Sequence, residues 1–521
     1  MERSLTMSGP AGICIAKSEA LERALAAINA DGRGLVLVVD DTGRLVGTLT
    51  DGDVRRHLLE GGSLGDPVAS ACHTEPLTAR TGYNAVELLA AMRSRGARHV
   101  PLLKDGRPTT LLSIEELSAG VDDRPAILGG RPLFNEPLPV ARPTLPPFAE
   151  LEPDLRRAVE SGMITNGPQK AAFEAEAAAY LGVKPERVLA VCNCTTGLLL
   201  AMGVLESPGE VVMPSFTYFA TGLAATWNGL TPVLVEARPG DFTMDAAAAA
   251  AAITERTRAL TAVYTFGCPP PLAELRELAE ERGLPLILDA AHAFGTTIDG
   301  RKAGTFGDIE VFSLSPTKPV TAAEGGLIVC RETAVAERLR RESNLGVLDS
   351  ATDTSRGLNG RLSELNAVVG RASLRHHEDN LARRLELVEL YKEELGGIEG
   401  FTFQEIPLDA RSTFKDFAVR CDTAGLGLSR DALARGLAAE NIATKRYFYP
   451  PLHLQRRFDG LSRAPRPLPI TEDISRDILC LPLYSHMERT DLRNVVAALR
   501  RLLASADAVR RRLDELGREW G

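Results

Sequence analysis

From Val188 onward short apolar runs alternate with stretches of helical periodicity. The runs are Val188 to Val191, Glu210 to Met213, Pro232 to Glu236, Ala259 to Tyr264, Leu284 to Leu288, Glu310 to Ser313 and Gly326 to Cys330. Runs this short, bounded by turn formers, read as buried strands, and helices between them predict a mostly parallel, doubly wound seven-stranded sheet. Upstream, helical spacing runs from Phe148 through Leu155 and Val159, and again from Gln169 to Leu181, with the loop signal Ile164 to Pro168 between. Downstream, charged helix-period sequence covers Arg371 to Leu395, then a smaller α+β segment follows, and the end of the chain reads as a charged helix.

The N-terminal stretch holds an internal repeat. Ala26-Ala27-Ile28, Leu35 to Val39 and Gly47 to Asp53 recur as Ala90-Ala91-Met92, Val100 to Leu103 and Leu111 to Glu116. Each copy reads as helix, strand, turn, strand and closing helix, a unit too small to bury its own apolar face. Two copies packed together can. The motif Gly47-x-x-Thr50-x-x-Asp53 resembles cystathionine β-synthase (CBS) domains, which pair in tandem, and the resemblance implies an adenine nucleotide held by Thr50 and Asp53. The second copy offers Ser113 and Glu116 in those places. Thr50 also has the position of an N-cap for a helix ending at Leu59.

Between Gly120 and Pro147 the chain is rich in proline, glycine and arginine, which reads as a linker and entry segment. The expected organisation is therefore a regulatory pair over 1–120, a linker over 121–147, a large domain over 148–385, a small domain over 386–505 and a helical tail over 506–521.

Composition narrows the functional classes. Of 521 residues 44% are apolar and 25% charged, the profile of an ordinary globular chain, and no apolar run is long enough to span a bilayer. The patch Gly12 to Ala16 is too short for a signal peptide, so a cytoplasmic protein is expected. A net charge of -9 disfavours a nucleic-acid partner. Eight cysteines without a Cys-x-x-Cys pair predict neither a disulfide framework nor a metal site.

The candidate chemistry gathers at predicted strand ends. Asp289 closes one apolar run, where open α/β sheets place ligands, and Lys318 follows another. Cys192 to Gly197 forms a turn of small residues opening the helix Leu198 to Met202, a ready anion site, and Ser215 to Thr221 adds hydroxyls and an aromatic ring. A lysine, a carboxylate, an aromatic and an anion nest together fit a pyridoxal phosphate site.

In order and spacing these pieces resemble the DegT/DnrJ/StrS sugar aminotransferases of pyridoxal phosphate fold type I. The resemblance runs from about Asn135 to Leu503 and includes Phe173-Glu174, Asp289 to Ala293, Lys318 with Glu324-Gly325-Gly326, and Gly357 to Leu365. It implies a seven-stranded α/β domain with a small α+β C-terminal domain, and pyridoxal 5'-phosphate as cofactor. Lys318 would bind the cofactor's aldehyde and shuttle protons, Asp289 would hold the ring nitrogen's proton, and Tyr218 would stack on the ring. His292 would lie near the phenolic oxygen, Thr195, Thr196 and Ser313 would hold the phosphate, and Asn359 would reach the phosphate of a neighbouring subunit. Homodimers or higher homo-oligomers follow from that last role. Lys445, Arg446, Tyr447 and His453 resemble the segment facing a nucleotide-sugar. The implied reaction is transamination of a keto sugar, nucleotide-linked, with an amino acid such as glutamate as donor. A cyclitol or other polar ketone as acceptor, and a nucleotide-sensing scaffold without turnover, are the alternatives. Leu288 and the Cys268-Pro269-Pro270-Pro271 loop depart from the family pattern.

Overall fold

The strands that carry the candidate chemistry form one seven-stranded sheet in the computed structural model, which describes residues 13–31, 33–80, 88, 91, 92, 95, 97–114, 127, 132–346 and 356–519. They are β1 (Val188–Val191), β2 (Gly209–Pro214), β3 (Leu230–Val235), β4 (Thr257–Val263), β5 (Leu286–Asp289), β6 (Ile309–Ser313) and β7 (Gly326–Cys330). The order is β1-β7-β6-β5-β4-β2-β3. Only β7 runs antiparallel to its neighbours, so β1 to β6 all point their carboxyl ends to the same edge. Every residue of β1, β2, β5, β6 and β7 is buried, as strands covered by helices on both faces must be.

The helices begin and end where local chemistry dictates. The helix Pro168–Leu181 has proline at its first turn and left-handed Gly182 at its end. The run Ala246–Ala252 is helical under an Asp245 cap. One expected strand starts late. Leu284 does not join β5, because its N–H closes the preceding helix on the carbonyl of Ala279, past the left-handed Gly283.

Two acids of the family-like motifs act as anchors. Glu174 accepts from Lys170 Nζ at 2.7 Å, from the Ala190 amide at 2.8 Å and from Arg340 at 2.7 Å, while the adjacent Phe173 is fully buried. Glu364 accepts from the amides of Gly167, Gln169 and Lys170 at 2.7 to 3.0 Å, satisfying the open end of the Pro168 helix from another helix. Glu364→Ala would strand those buried donors, and a loss of at least about 2 kcal/mol is expected in urea denaturation.

Charge and proline did not make 132–147 a free connector. Leu133 and Phe134 bond to Glu440, Leu138 pairs with Ile442 in parallel, and Val140 accepts from Leu483. This stretch is an extra edge on the C-terminal layer, whose sheet joins Phe401–Phe403, Phe417–Cys421 and Ile478–Leu481. The final helix Ala506–Glu519 buries Val509 in the same core.

By density of internal contacts the chain divides into two units, 1–125 and 126–521. Within the first, Cys14–Ala16 pairs in parallel with Leu35–Val39, which pairs antiparallel with Leu45–Thr50. Ala79–Arg80, His99–Lys104 and Arg107–Ser113 repeat that arrangement. The repeat seen in the sequence is therefore a repeat of topology. Ala90, Glu115 and Glu116 of the second copy lie outside the described residues. Among the described residues, no helix is long and apolar enough to cross a membrane.

Candidate active site

At the carboxyl edge of the sheet lies a cavity of about 300 Å³ whose walls come from widely separated parts of the chain. Asp289 ends β5, Ser313 ends β6, and Asn193 to Thr195 follow β1. Lys318 sits on the turn after β6, its amide bonded to the Ser315 carbonyl at 3.0 Å. Tyr218, His292, Lys415 and Tyr447 complete the wall.

Asp289 is 4% exposed. One carboxylate oxygen accepts from Thr221 Oγ1 at 2.7 Å and the other from the Ala291 amide at 3.1 Å. Burial pushes its carboxyl up despite both bonds and the nearby Lys318. Burial likewise drives the Lys318 amine down from 10.5 to about 7, with the charge of Lys415 adding to the effect against Asp416, Cys194 and Asp289. His292 is pushed well below its ordinary range by burial, then by Lys318 and Lys415, so it is a neutral imidazole, its Nδ1 accepting from the Phe266 amide at 3.2 Å. The Cys194 thiol, half-buried on the wall, is pushed well above its ordinary range by desolvation and then by Asp289, so it stays protonated.

Lys318 sets a pH dependence. Its amine is neutral above about 7, so covalent capture of an aldehyde by the apo-protein should rise about tenfold per pH unit below that value and level off above it. Between about 7 and 10.5 the unfolded chain holds a proton that the folded amine lacks, so this group makes stability rise with pH across that window. Stopped-flow absorbance on added pyridoxal phosphate reads the first effect, and a break only at about pH 9 or higher would overturn it.

Not every expected residue lies on the wall. Thr195 and Ser313 do, but Thr196 is turned into the helix cap, its amide bonded to Asn193 Oδ1 at 2.8 Å and its hydroxyl facing Cys192. Asn193, Cys194 and Ser315 line the cavity, although sequence reasoning did not select them. The signal for Asn193 was its place as N-cap before Cys194–Gly203. Tyr218 is 46% exposed, its ring 4.1 Å from that of Phe219. Asn359 is exposed, bonded to Arg361 Nε at 3.1 Å, and does not line its own chain's cavity.

Of the expected sugar-facing segment Lys445 to His453, Tyr447 and Phe448 reach the cavity. Lys445 and Arg446 are exposed, and Arg446 pairs with Asp431 at 3.0 Å. His453 is tied down, with Nδ1 2.7 Å from Ser215 Oγ and Nε2 3.4 Å from Glu472. In the N-terminal unit, Thr50 and Asp53 form a reciprocal capping box, each side chain bonded to the other's amide. Thr50 still faces a cleft of about 430 Å³ with Thr48, His73, Arg95 and Arg98, whereas Asp53 does not line it.

The residues present fit pyridoxal phosphate. A buried carboxylate meets only neutral donors within hydrogen-bond reach, the environment a protonated pyridine nitrogen would complete. A cradle of backbone lies where β7 begins, since a Cβ on Gly326 would meet Asn193 and Cys194 backbone at 2.8 Å. The first amides of the Cys194 helix have no partner within it and suit a phosphate.

Comparisons with known proteins agree with this geometry. Residues 149–500 match the DegT/DnrJ/EryC1/StrS aminotransferase family, and residues 10–60 match the CBS domain. The dTDP-4-amino-4,6-dideoxy-D-glucose transaminase of Escherichia coli is 33% identical over 67% of this chain and 94% of its own length. Erythromycin biosynthesis sensory transduction protein EryC1 of Saccharopolyspora erythraea is 36% identical over 68% of this chain and 96% of its own. The crystal structure of DesI with its TDP-sugar product superposes with a TM-score of 0.70 at 35% identity, covering 77% of this chain and all of DesI. By motif, fold and cavity the chain belongs to the DegT/DnrJ/EryC1/StrS family of pyridoxal-phosphate-dependent aminotransferases.

Proposed function

We propose that this protein aminates a keto sugar carried on a nucleoside diphosphate, taking the amine from an amino acid, with glutamate as the first candidate. The observation that carries the reading is the pairing, in one cavity, of a lysine amine lowered to about 7 with a buried carboxylate held by Thr221. Pyridoxal phosphate, when bound, supplies an electron sink for the charge left as an α-proton departs. Lys318 Nζ, lowered to about 7 so that a large share is neutral at that pH, would take that proton and return it at the neighbouring carbon. Asp289 would hold a proton on the ring nitrogen, Tyr218 would cover the ring, and neutral His292 would meet the phenolic oxygen. Thr195 and Ser313, with the first amides of the Cys194 helix, would hold the phosphate. The sugar acceptor rests on the transaminase relatives and on the neighbour seen with a TDP-sugar.

Asn359, exposed on its own chain, fits the reading that it completes the phosphate site of a second copy in a homodimer. The CBS unit is assigned a regulatory role, with the cleft beside Thr50 taking an adenine nucleotide. A panel of nucleotide-linked keto sugars and free polar ketones, incubated with glutamate and followed by mass spectrometry, tests the reaction. Amination of the nucleotide-linked compounds supports it, and amination only of free ketones such as cyclitols overturns the sugar assignment. Titration of the full chain with adenine nucleotides tests the regulatory role, which fails if neither binding nor a change in rate is seen.

A further inference from the structure

Lys415 is a second lysine in the cavity, and the chemistry above leaves it without a task. It is 4% exposed and lines the same wall as Lys318, His292 and Tyr447. Its amide is tied to the Phe266 carbonyl at 2.9 Å, in the turn whose own amide caps His292. That turn is forced into contact with it: Gly267, at φ +100°, leaves no room for a Cβ beside Thr413. The ammonium donates to Asp416 Oδ1 at 2.9 Å and lies 5.6 Å from the Tyr447 ring centre. An ammonium carries three donors, and this bond uses one.

The charges around the cavity are few. Asp289 and Glu324 are its acids, Lys318 and Lys415 its lysines. Lys318 must be neutral to act as a nucleophile, and it is the group that holds the cofactor. An amino-acid donor brings a carboxylate into this desolvated space, where an unpaired charge is costly and a cation with free donors stabilises it most. Among the described residues lining the cavity, Lys415 is the cation left for that purpose. Burying a Lys–Asp pair gives little net stability by itself, which makes a purely structural reason weak. Asp416 is also buried, and its second oxygen Oδ2 has no partner, so the pair is not a closed network.

We propose that Lys415 binds the carboxylate of the amino-acid donor, with Asp416 as the positioning residue that aims its ammonium. This rests on the transamination reading given above. The role makes the cavity selective for amino acids over amines that lack a carboxylate, and it belongs to the donor half-reaction alone.

Full-length cofactor-loaded protein, its Lys415→Gln and Lys415→Arg variants, and the double variant Lys415→Met with Asp416→Asn provide the test. The double variant leaves no unpaired buried charge, so it reports even if K415Q fails to fold. Calorimetry with glutarate, a dicarboxylate without an amine, reads the carboxylate site independently of turnover. K415Q and the double variant should bind glutarate about 10- to 100-fold more weakly and show a donor KM raised by a similar factor, the range for a lost bond between charged groups, and K415R should restore part of both. Because the Lys415 charge also lowers the Lys318 amine, rates in both half-reactions move together. The discriminating reading is therefore KM: that of the donor amino acid should rise well beyond that of 1-phenylethylamine or of the acceptor. Unaltered glutarate binding, or a larger effect on the acceptor than on the donor, overturns the proposal. Wild type that binds glutarate in a Lys415-dependent way yet aminates nothing would count against the transamination reading and leave the carboxylate site standing.

Discussion

Lys318→Ala should leave a folded chain that binds pyridoxal phosphate only reversibly and transaminates at least roughly 10²- to 10⁴-fold more slowly, the range for removing a positioned proton-transfer group. The effect is large because the proposed function gives one amine two tasks. Its neutral form would make the bond to the cofactor, and the same Nζ would move the proton between carbons. Folding should not suffer. Lys318 is half-buried on the cavity wall and desolvation drives its ordinary value of 10.5 to about 7, so at neutral pH the fold spends stability to keep it there, and alanine removes that cost. The visible absorbance of the bound cofactor, its loss on dialysis, and the melting temperature separate the three claims. Unchanged absorbance and rate in the variant would place the covalent link elsewhere.

Asp289→Asn is the second large effect. Asparagine keeps one acceptor, its Oδ1 for the Ala291 amide, and its NH2 can donate to the Thr221 hydroxyl, which accepts as readily as it donates. The local geometry therefore survives, but the negative charge proposed to face the ring nitrogen is gone. Breaking a buried charge pair costs about 3–5 kcal/mol, which predicts a rate lower by roughly two to four orders of magnitude. Stability without cofactor should move the other way. Because burial raises the Asp289 carboxyl above its ordinary 3.8, the unfolded chain ionises first as pH rises, and the folded state loses stability through that window. Asparagine does not titrate there, so the cofactor-free variant should melt no lower than wild type at neutral pH. A rate within threefold of wild type, on the order of 0.6 kcal/mol, would mean that Asp289 does not face the ring nitrogen.

The sheet was legible because its signal is local. Runs such as Val188 to Val191 and Gly326 to Cys330 are apolar throughout, and strands covered on both faces need that pattern. Asp289 at the end of β5 was legible for the same reason, since the side chain following such a run lies at the sheet's edge. Strand direction was less so. Apolar runs do not encode whether a neighbour is parallel, and β7 turned out antiparallel to both β1 and β6. In the N-terminal unit, Thr50 and Asp53 look alike as nucleotide ligands and as a capping box, because both uses need a hydroxyl and a carboxylate three residues apart.

Segments rich in charge and aromatics were the least readable. Lys445 to His453 has the composition of a phosphate and ring site, yet Arg446 is spent on Asp431 and His453 on Ser215 and Glu472. Which of these side chains turns inward depends on partners far away in sequence. The proline-rich stretch before Phe148 reads as a linker for a similar reason, since the edge it joins at Ile442 lies far along the chain.

The sequence by itself determined the family and the cofactor and singled out the lysine and carboxylate proposed to carry the chemistry, because each is a residue type at a fixed offset from a strand or helix end. Only the tertiary structure decided what surrounds them. It placed Asn193 as the cap of the Cys194 helix, turned Thr196 away, and set Lys415, paired with Asp416, on the same wall as Lys318. Those neighbours arrive from separate turns brought together by burial, and burial is also what makes the Lys318 amine neutral. No spacing along the chain records that kind of encounter, since its energy comes from water excluded on all sides at once.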